Sequence, residues 1–477
     1  MVDLSDMAAD DDIIAAQATP PGAGGIAIVR VSGAGCAEKI APLFAVVPRW
    51  EAGRFTVMRL VSPSAFQPSS LPASPSEGLG QAVALYFQAP HSYTGEEVVE
   101  LQVHGGRVTV RRVLEALAAL GVRPAEPGEF TRRAFLNGRL ELSQAEAVMD
   151  VIAAQSDHAA RLALEQLEGR LGRRVEAWYA AVLGCCAELE ASLDFAEDEV
   201  EAAFDFRAMP GRLCTLREEI ASLVATWQEG LMAREGVVAV LSGRPNAGKS
   251  ALFNALLERQ RAIVSPVPGT TRDTLEETLV LRGFPVRLTD TAGLRDAACP
   301  VEREGVARAE AAAQRSDIHL RVLDATDITP DDIAAAKQLD TARTLVVLNK
   351  TDLAGNEELR MKNEELEKCR VIGVSAVTGD GMEALRAAME ALLGELAGNR
   401  ESLVAVNARH RDLLVAASDS LARAETLLAA MAPVGDETTP IAAQALHDAA
   451  SSLGHITGRG VGDDILSAIF SRFCVGK

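Results

Sequence analysis

The chain has 477 residues, which at about 100 to 200 residues per domain implies roughly three domains or two large ones. Apolar residues at 48% and charged residues at 24% exclude a disordered chain, and aromatics at only 4% argue against a broad surface for stacking single-stranded bases. With 67 acidic and 47 basic side chains the formal charge is −20, so nucleic acid is excluded as a partner of the whole surface and must be met locally or shared with a second protein.

The opening MVDLSDMAADDD is acidic where a secretory signal is basic and then apolar, and no apolar run approaches the ~18 residues of a membrane span, so a cytoplasmic location is expected. The cysteines (Cys36, Cys185, Cys186, Cys214, Cys299, Cys369, Cys474) are scattered and form no CxxC pair, which indicates neither a disulfide framework nor a zinc site.

In chain order, the first segment reads as mixed α/β. IAIVRVS from Ile26, VALYF from Val83 and VVELQV from Val98 are short β-branched runs, the last followed by Gly105-Gly106 and a helical stretch. Residues 61 to 80 hold six serines and four prolines and predict an exposed loop. From Leu142 the spacing turns helical, with Leu142, Ala145, Met149 and Ile152 three or four residues apart, and the same period returns at Leu414, Ala417, Leu421, Ala424, Leu428 and Met431. Two amphipathic blocks of one period, separated by a segment of another character, predict a helical domain interrupted by an insertion from about Arg234 to Leu396. Within it VVAVL from Val237, PVRLTD from Pro285, HLRVLD from His319, TLVVLN from Thr344 and VIGVS from Val371 alternate with helical stretches, the pattern of a mostly parallel sheet covered on both faces. Ligands on such a sheet bind at the carboxyl ends of its strands.

The motifs fall at those ends. GRPNAGKS, Gly243 to Ser250, fits GxxxxGK[ST] between a strand ending at Leu241 and a helix starting near Ala251. Its glycines let backbone N–H groups face phosphate oxygens, Lys249 brings a point charge, and the Ser250 hydroxyl reaches Mg²⁺. Asn246, Ala247, Gly248 and Ala251 complete this cradle. Asp290, Thr291, Ala292 and Gly293 follow a strand and put a carboxylate near Mg²⁺ with a flexible glycine by the γ-phosphate. Asn349, Lys350 and Asp352 belong to NKTD, whose last carboxylate accepts from the N1–H and amine of guanine, and Ser375-Ala376 closes the base pocket. The ordered set reads as a P-loop GTPase. The turn-rich segment from Ser265 to Asp273 carries Thr270 and Thr271, and Thr271 is the expected second hydroxyl for Mg²⁺.

Leu294 stands where a Ras-like arrangement carries its water-orienting glutamine, so another group is required. Acids on the following segment, including Asp296, Glu302 and Glu304, are candidates. The Asn246 amide oxygen beside the phosphates is a candidate ligand for a monovalent cation doing the electrostatic work of an arginine finger.

Taken with ATPPGAGGIAIVRVSG, SYTGEEVVELQVHGG, PGEFTRRAFLNGRLELSQAEA and the terminal FCVGK, these motifs resemble the MnmE (TrmE) family of tRNA modification GTPases over nearly the whole chain. The resemblance implies a multidomain α/β plus α-helical fold: an N-terminal α/β folate-binding and dimerisation domain at 1–138, a helical domain at 139–233 and 397–477, and an inserted G domain at 234–396. It implies potassium-dependent GTP hydrolysis, with K⁺ held by Asn246, Ser265, Val267 and Thr270, and Glu302 orienting water. It further implies a homodimer joined by a flavoprotein, MnmG, that carries FAD. Together they would add an aminomethyl or carboxymethylaminomethyl group to C5 of the tRNA wobble uridine, from 5-formyltetrahydrofolate or a related tetrahydrofolate. Arg30, Glu100, Arg139 and Lys477 match the folate positions, Arg139 replacing a lysine of relatives. Cys474 is a candidate nucleophile. The alternative is a GTP-dependent ribosome-assembly or regulatory switch factor that changes no base.

Overall fold

The computed structural model describes residues 12–62, 78–194, 207–261, 276–290, 316–355, 366, 368–397, 406–430 and 438–477. The chain divides into two compact units, one made of Met1–Met149, Gln166–Glu218 and Asp412–Lys477, the other of Asp150–Glu165 and Glu219–Arg411.

In the first unit six strands, β1 (Ile14–Gln17), β2 (Ile26–Ser32), β3 (Phe55–Val61), β4 (Gly78–Phe87), β5 (Val98–His104) and β6 (Arg123–Pro124), form one sheet in the order β3-β4-β5-β2-β1-β6. Only β1 with β6 is parallel. Because side chains alternate along a strand, one face collects Val29, Val31, Leu101, Val103, Ala82 and Ala84 and packs on helix α2 (Arg107–Ala119). That helix, which follows the short α1 (Cys36–Lys39), answers with Val110, Val113 and Leu117 at helical spacing. The other face carries a cross-strand ladder in which Phe55 lies opposite Leu85, Leu85 opposite Glu100, Glu100 opposite Arg30, and Arg30 opposite Ala16.

Strands at Ile26, Val83 and Val98 follow the sequence reading; β1, β3 and β6 were not expected. The 61–80 stretch is not loop at its ends, since Val61 pairs with Gly78 across the β3–β4 ladder. Strand limits are set by available partners as much as by composition. Residues 63–77 lie outside the described residues.

Four helices follow in the chain: α3 (Glu129–Leu136), α4 (Leu142–Ala153), α5 (Asp157–Leu167) and α6 (Arg170–Asp194). Leu142 and Ala145 bury with Phe135, Leu466, Phe470 and Phe473, whereas Ile152, expected on the same stripe, is exposed in the last turn of α4. Near β1, Asp12, Arg123, Glu129 and Arg133 form a linked set of ion pairs. Burial alone would raise the Glu129 carboxyl, but the two arginines hold it below its ordinary value.

The second unit contains β7 (Val237–Ser242), β8 (Glu276–Leu281), β9 (Phe284–Asp290), β10 (Ile318–Asp324), β11 (Thr344–Asn349) and β12 (Arg370–Gly373), ordered β12-β11-β10-β7-β9-β8. All pairings are parallel except the β8–β9 hairpin, as the apolar runs predicted, although β8 itself was not expected. Every residue of β11 is buried. One face packs on α9 (Lys249–Arg261) and α11 (Met382–Ala397) through Leu252, Leu385 and Met389, the other on α10 (Pro330–Lys337) through Ala336.

Around them in sequence run α7 (Met209–Val224), α8 (Trp227–Glu235), α12 (Ala408–Ala430), α13 (Thr439–Thr457) and α14 (Asp463–Phe470). The late periodicity is met by Leu414, Ala417, Leu421 and Ala424, all fully buried on α12, whereas Leu428 is half-buried and Met431 lies outside the described residues. In the first unit α13 packs along α6, with Gly454 against Tyr179 and His447 bonded to Glu190 at 2.7 Å. Among the described residues no helix is long and apolar enough to cross a membrane.

Candidate functional site

The GRPNAGKS loop joins β7 to α9, and two of its residues sit inside the flanking helix: α9 begins at Lys249, not near Ala251, and β7 runs one residue further, to Ser242. Gly243, Asn246 and Gly248 all have positive φ, at 145°, 64° and 88°. The two glycines are also sterically required, since a Cβ on Gly243 would overlap the Val322 carbonyl and one on Gly248 the Asn349 amide. The curled backbone leaves Lys249 buried, with Nζ donating to the carbonyls of Gly243 and Arg244 at 3.0 Å each. Ala247 is buried; Asn246, Ser250 and Ala251 are exposed around the rim.

Two further strand ends close on this loop. Asn349, 2% exposed, donates from Nδ2 to the Ala247 carbonyl at 3.0 Å and accepts at Oδ1 from the Ala376 amide at 3.1 Å. Lys350, at φ 66°, donates to the Asp324 carboxylate at 2.6 Å, and that contact helps hold Asp324 below its ordinary range against the opposing effect of burial. Asp352 is exposed two residues later. Ser375 is fully buried, and its Oγ accepts from the Thr378 amide at 3.1 Å. Phosphate loop, NKTD and Ser375-Ala376 thus meet at the carboxyl end of the sheet.

Asp290 ends β9, level with Leu241 of β7. Ser265, Val267, Thr270, Thr271, Thr291, Ala292, Gly293 and Glu302 lie outside the described residues.

In the first unit Arg30 and Glu100, 70 positions apart, face each other across β2 and β5. Arg30 Nε and Nη2 each lie 2.9 Å from Glu100 Oε1. The guanidinium also sits over the rings of Tyr93 and Phe130, 5.2 and 5.6 Å from their centroids. The chain end comes back to this pair. Val475 bridges Pro127, and Gly476, at φ 100°, leaves no room for a Cβ beside the Gln17 carbonyl. Burial first and the Arg30 charge second lower the Lys477 pKa. Arg139 stands somewhat apart, exposed on the turn after α3, with its aliphatic stem near Gly95 in the loop that carries Tyr93. Cys474 is exposed and lines a mainly apolar cleft of about 550 Å³ with Ala15, Leu114, Ala118 and Val475.

Sequence reasoning missed Tyr93, Phe130, Asp324 and the link from Arg244 to Asp332. Asp324 had a readable signal, a carboxylate ending an apolar strand as Asn349 does; the aromatic floor under Arg30 had none.

The family model described as the MnmE helical domain matches residues 142–474, and the model described as the GTP-binding protein TrmE N-terminus matches residues 13–139. Among curated relatives, the tRNA modification GTPase MnmE of Roseiflexus sp. (strain RS-1) is 41% identical, covering 98% of this chain and 99% of its own. Those of Symbiobacterium thermophilum and Moorella thermoacetica are 43% and 42% identical, each covering 98% of this chain and 100% of theirs. Matched end to end at this level, with the nucleotide loops gathered on one sheet edge, the chain belongs to the MnmE family of tRNA modification GTPases.

Proposed function

We propose that the chain hydrolyses GTP, with K⁺ and Mg²⁺ at the phosphates, and that this cycle drives modification of C5 of the tRNA wobble uridine with a tetrahydrofolate one-carbon unit and a flavoprotein partner, MnmG, carrying FAD. The observation that carries the nucleotide half is Asn349, whose single buried amide ties the phosphate loop to the Ser375-Ala376 loop, so that base pocket and phosphate cradle form one rigid surface. Asp352, exposed two residues after Lys350, would accept from the guanine N1–H and amine. Lys249, oriented by the Gly243 and Arg244 carbonyls, meets the outer phosphates.

Among the described residues, those expected at the metals fit. Ser250 lies in the first turn of α9, beside the cradle, and with Thr271 would hold Mg²⁺, which neutralises phosphate charge. Asn246 is exposed at the rim of the same loop, where an amide oxygen would serve K⁺ with Ser265, Val267 and Thr270. Glu302 is the expected water-orienting acid. For the folate, an ion pair stacked on two rings suits a pterin edge, and the Lys477 ammonium would meet the anionic tail. Arg30, Glu100 and Lys477 would hold it, with Arg139 reaching from the loop side. Both Arg30 bonds end on Glu100 Oε1, so a ligand N–H would be directed to Oε2.

The homodimer reading is supported by the ladder face of the first sheet. Phe55 and Val57 on its edge strand are 72% and 62% exposed, an apolar edge that a second copy would cover.

The test is GTP turnover in matched KCl and NaCl at several protein concentrations, with Asn246→Ala and Glu302→Ala alongside. Turnover that requires K⁺, rises per chain with concentration and fails in both variants supports the reading. Slow turnover indifferent to cation and to both substitutions would favour a switch factor without base chemistry.

A further inference from the structure

Arg244 is the second residue of the phosphate loop, and its side chain turns away from the cradle. Its Nη1 donates to Asp332 Oδ2 at 3.1 Å and to the Asp327 carbonyl at 3.3 Å, and its Nη2 lies 3.4 Å from the Asp327 carboxylate. Asp332 is buried at the start of α10, and its Oδ2 also accepts from the Thr329 amide at 3.1 Å and the Thr329 hydroxyl at 2.8 Å. In return the Asp332 amide donates to the Thr329 hydroxyl at 3.3 Å, a reciprocal helix cap. One carboxylate oxygen therefore serves the cap of α10 and the anchor of the phosphate loop together. Burial alone would raise the Asp332 pKa, yet the Thr329 groups and Arg244 hold it low, so the anchor is ionised at neutral pH.

The mechanical consequence follows from the other end of Arg244. Its own carbonyl and that of Gly243 are the acceptors that aim Lys249 Nζ. Gly243 is wedged against the Val322 backbone, so the peptide leaving it has little freedom on one side. On the other side the Arg244 side chain reaches α10 through Asp332. Fixing that side chain fixes the plane of the carbonyl and, through it, the direction of the lysine.

We infer that Asp332 is a positioning residue for GTP binding, acting through Arg244 to hold the first two carbonyls of the phosphate loop where they orient Lys249. This rests on the nucleotide reading above and extends it to a residue outside every nucleotide motif in the chain. It also couples the start of α10 to the nucleotide, because a ligand that pulls Lys249 toward phosphate loads the same tether.

The test uses the full chain and a fluorescent GDP analogue, with Kd and melting temperature measured for each variant. Asp332→Asn is expected to weaken binding about fivefold, Arg244→Ala by a similar factor, and the double variant no more than either alone, the non-additivity expected of groups acting as one. Asp332→Glu keeps the charge and the cap and is expected to recover most of the affinity. Thr329→Val removes half of the cap while leaving the Arg244 bond. It should lower the melting temperature as Asp332→Asn does, yet bind nucleotide like the wild type. Equal loss of affinity in Thr329→Val and Asp332→Asn, or additive effects in the double variant, would overturn the inference and leave Asp332 a helix cap only. If the wild-type chain itself fails to bind the analogue, the nucleotide reading falls instead.

Discussion

Asn349 shows how much one residue carries when its polar atoms are buried. Its amide has a donor bond to the Ala247 carbonyl and an acceptor bond to the Ala376 amide, and removing it leaves both backbone groups without that partner, the first of them at a buried bond. Asn349→Ala is expected to raise the Kd for GTP and GDP by at least about tenfold while leaving Asp352 in place, checked by equilibrium binding of both nucleotides. His319 offers a test by pH. It is 7% exposed beneath the phosphate loop, shares a 2.6 Å hydrogen bond with Ser242, and is held down to about 4 by burial first and the Arg321 charge second. The ordinary imidazole value is 6.5, so on acidification the unfolded chain takes up a proton before the folded one does. The stability contributed by the neutral ring is therefore whole above about pH 6.5 and is lost as pH falls toward 4, on the order of 3 kcal/mol in all. Urea unfolding of wild type and His319→Gln between those limits should show the variant losing about one proton of linkage. An identical pH slope in the two proteins would mean that the ring is already charged in the fold.

At the scale of elements, the short segment after α14 is the clearest case of packing that joins residues distant in sequence. Gly128 and Gly476 both have positive φ, and each lies where a Cβ would meet backbone, the Phe470 carbonyl for one and the Gln17 carbonyl for the other. Together they let the chain end lie close against the β1 end of the sheet. Gly476→Ala is expected to displace Lys477 and weaken tetrahydrofolate binding by about tenfold, with GTP turnover within about twofold of wild type. Calorimetry with a tetrahydrofolate and a GTPase assay on the same preparation check both halves. Equal loss of the two activities would mean that the substitution unfolds more than the terminal segment.

For the whole molecule, the ladder Phe55, Leu85, Glu100, Arg30 and Ala16 runs from an exposed apolar edge to the folate candidates on a single sheet face. A second copy covering that edge would bring its own surface toward Arg30 and Glu100. Phe55→Asp combined with Val57→Asp introduces charge where apolar burial is proposed, and sedimentation is expected to shift the protein toward monomer. Tetrahydrofolate affinity should fall with it, whereas a monodisperse dimer in the double variant would remove this face from consideration.

What the sequence determined by itself was whatever depends on contiguous backbone. A phosphate cradle is one turn of chain with glycines at fixed places, and Gly243 and Gly248 could be read because no other residue fits their φ and their neighbours. The parallel sheet was equally legible, since strands buried on both faces are nearly continuous apolar runs, as in TLVVLN. Three of the missed strands lack that signal: β1 is IAAQ, β6 is two residues long, and β3 turns Phe55 and Val57 outward. Only the tertiary structure decided which distant groups meet. The Arg30–Glu100 pair depends on strand register, Lys477 on two glycines that admit the chain end, and the Arg244–Asp332 anchor on α10 starting beside the phosphate loop. Such pairings span 70 positions or more, and a side chain carries no mark of its partner until packing fixes the register between elements.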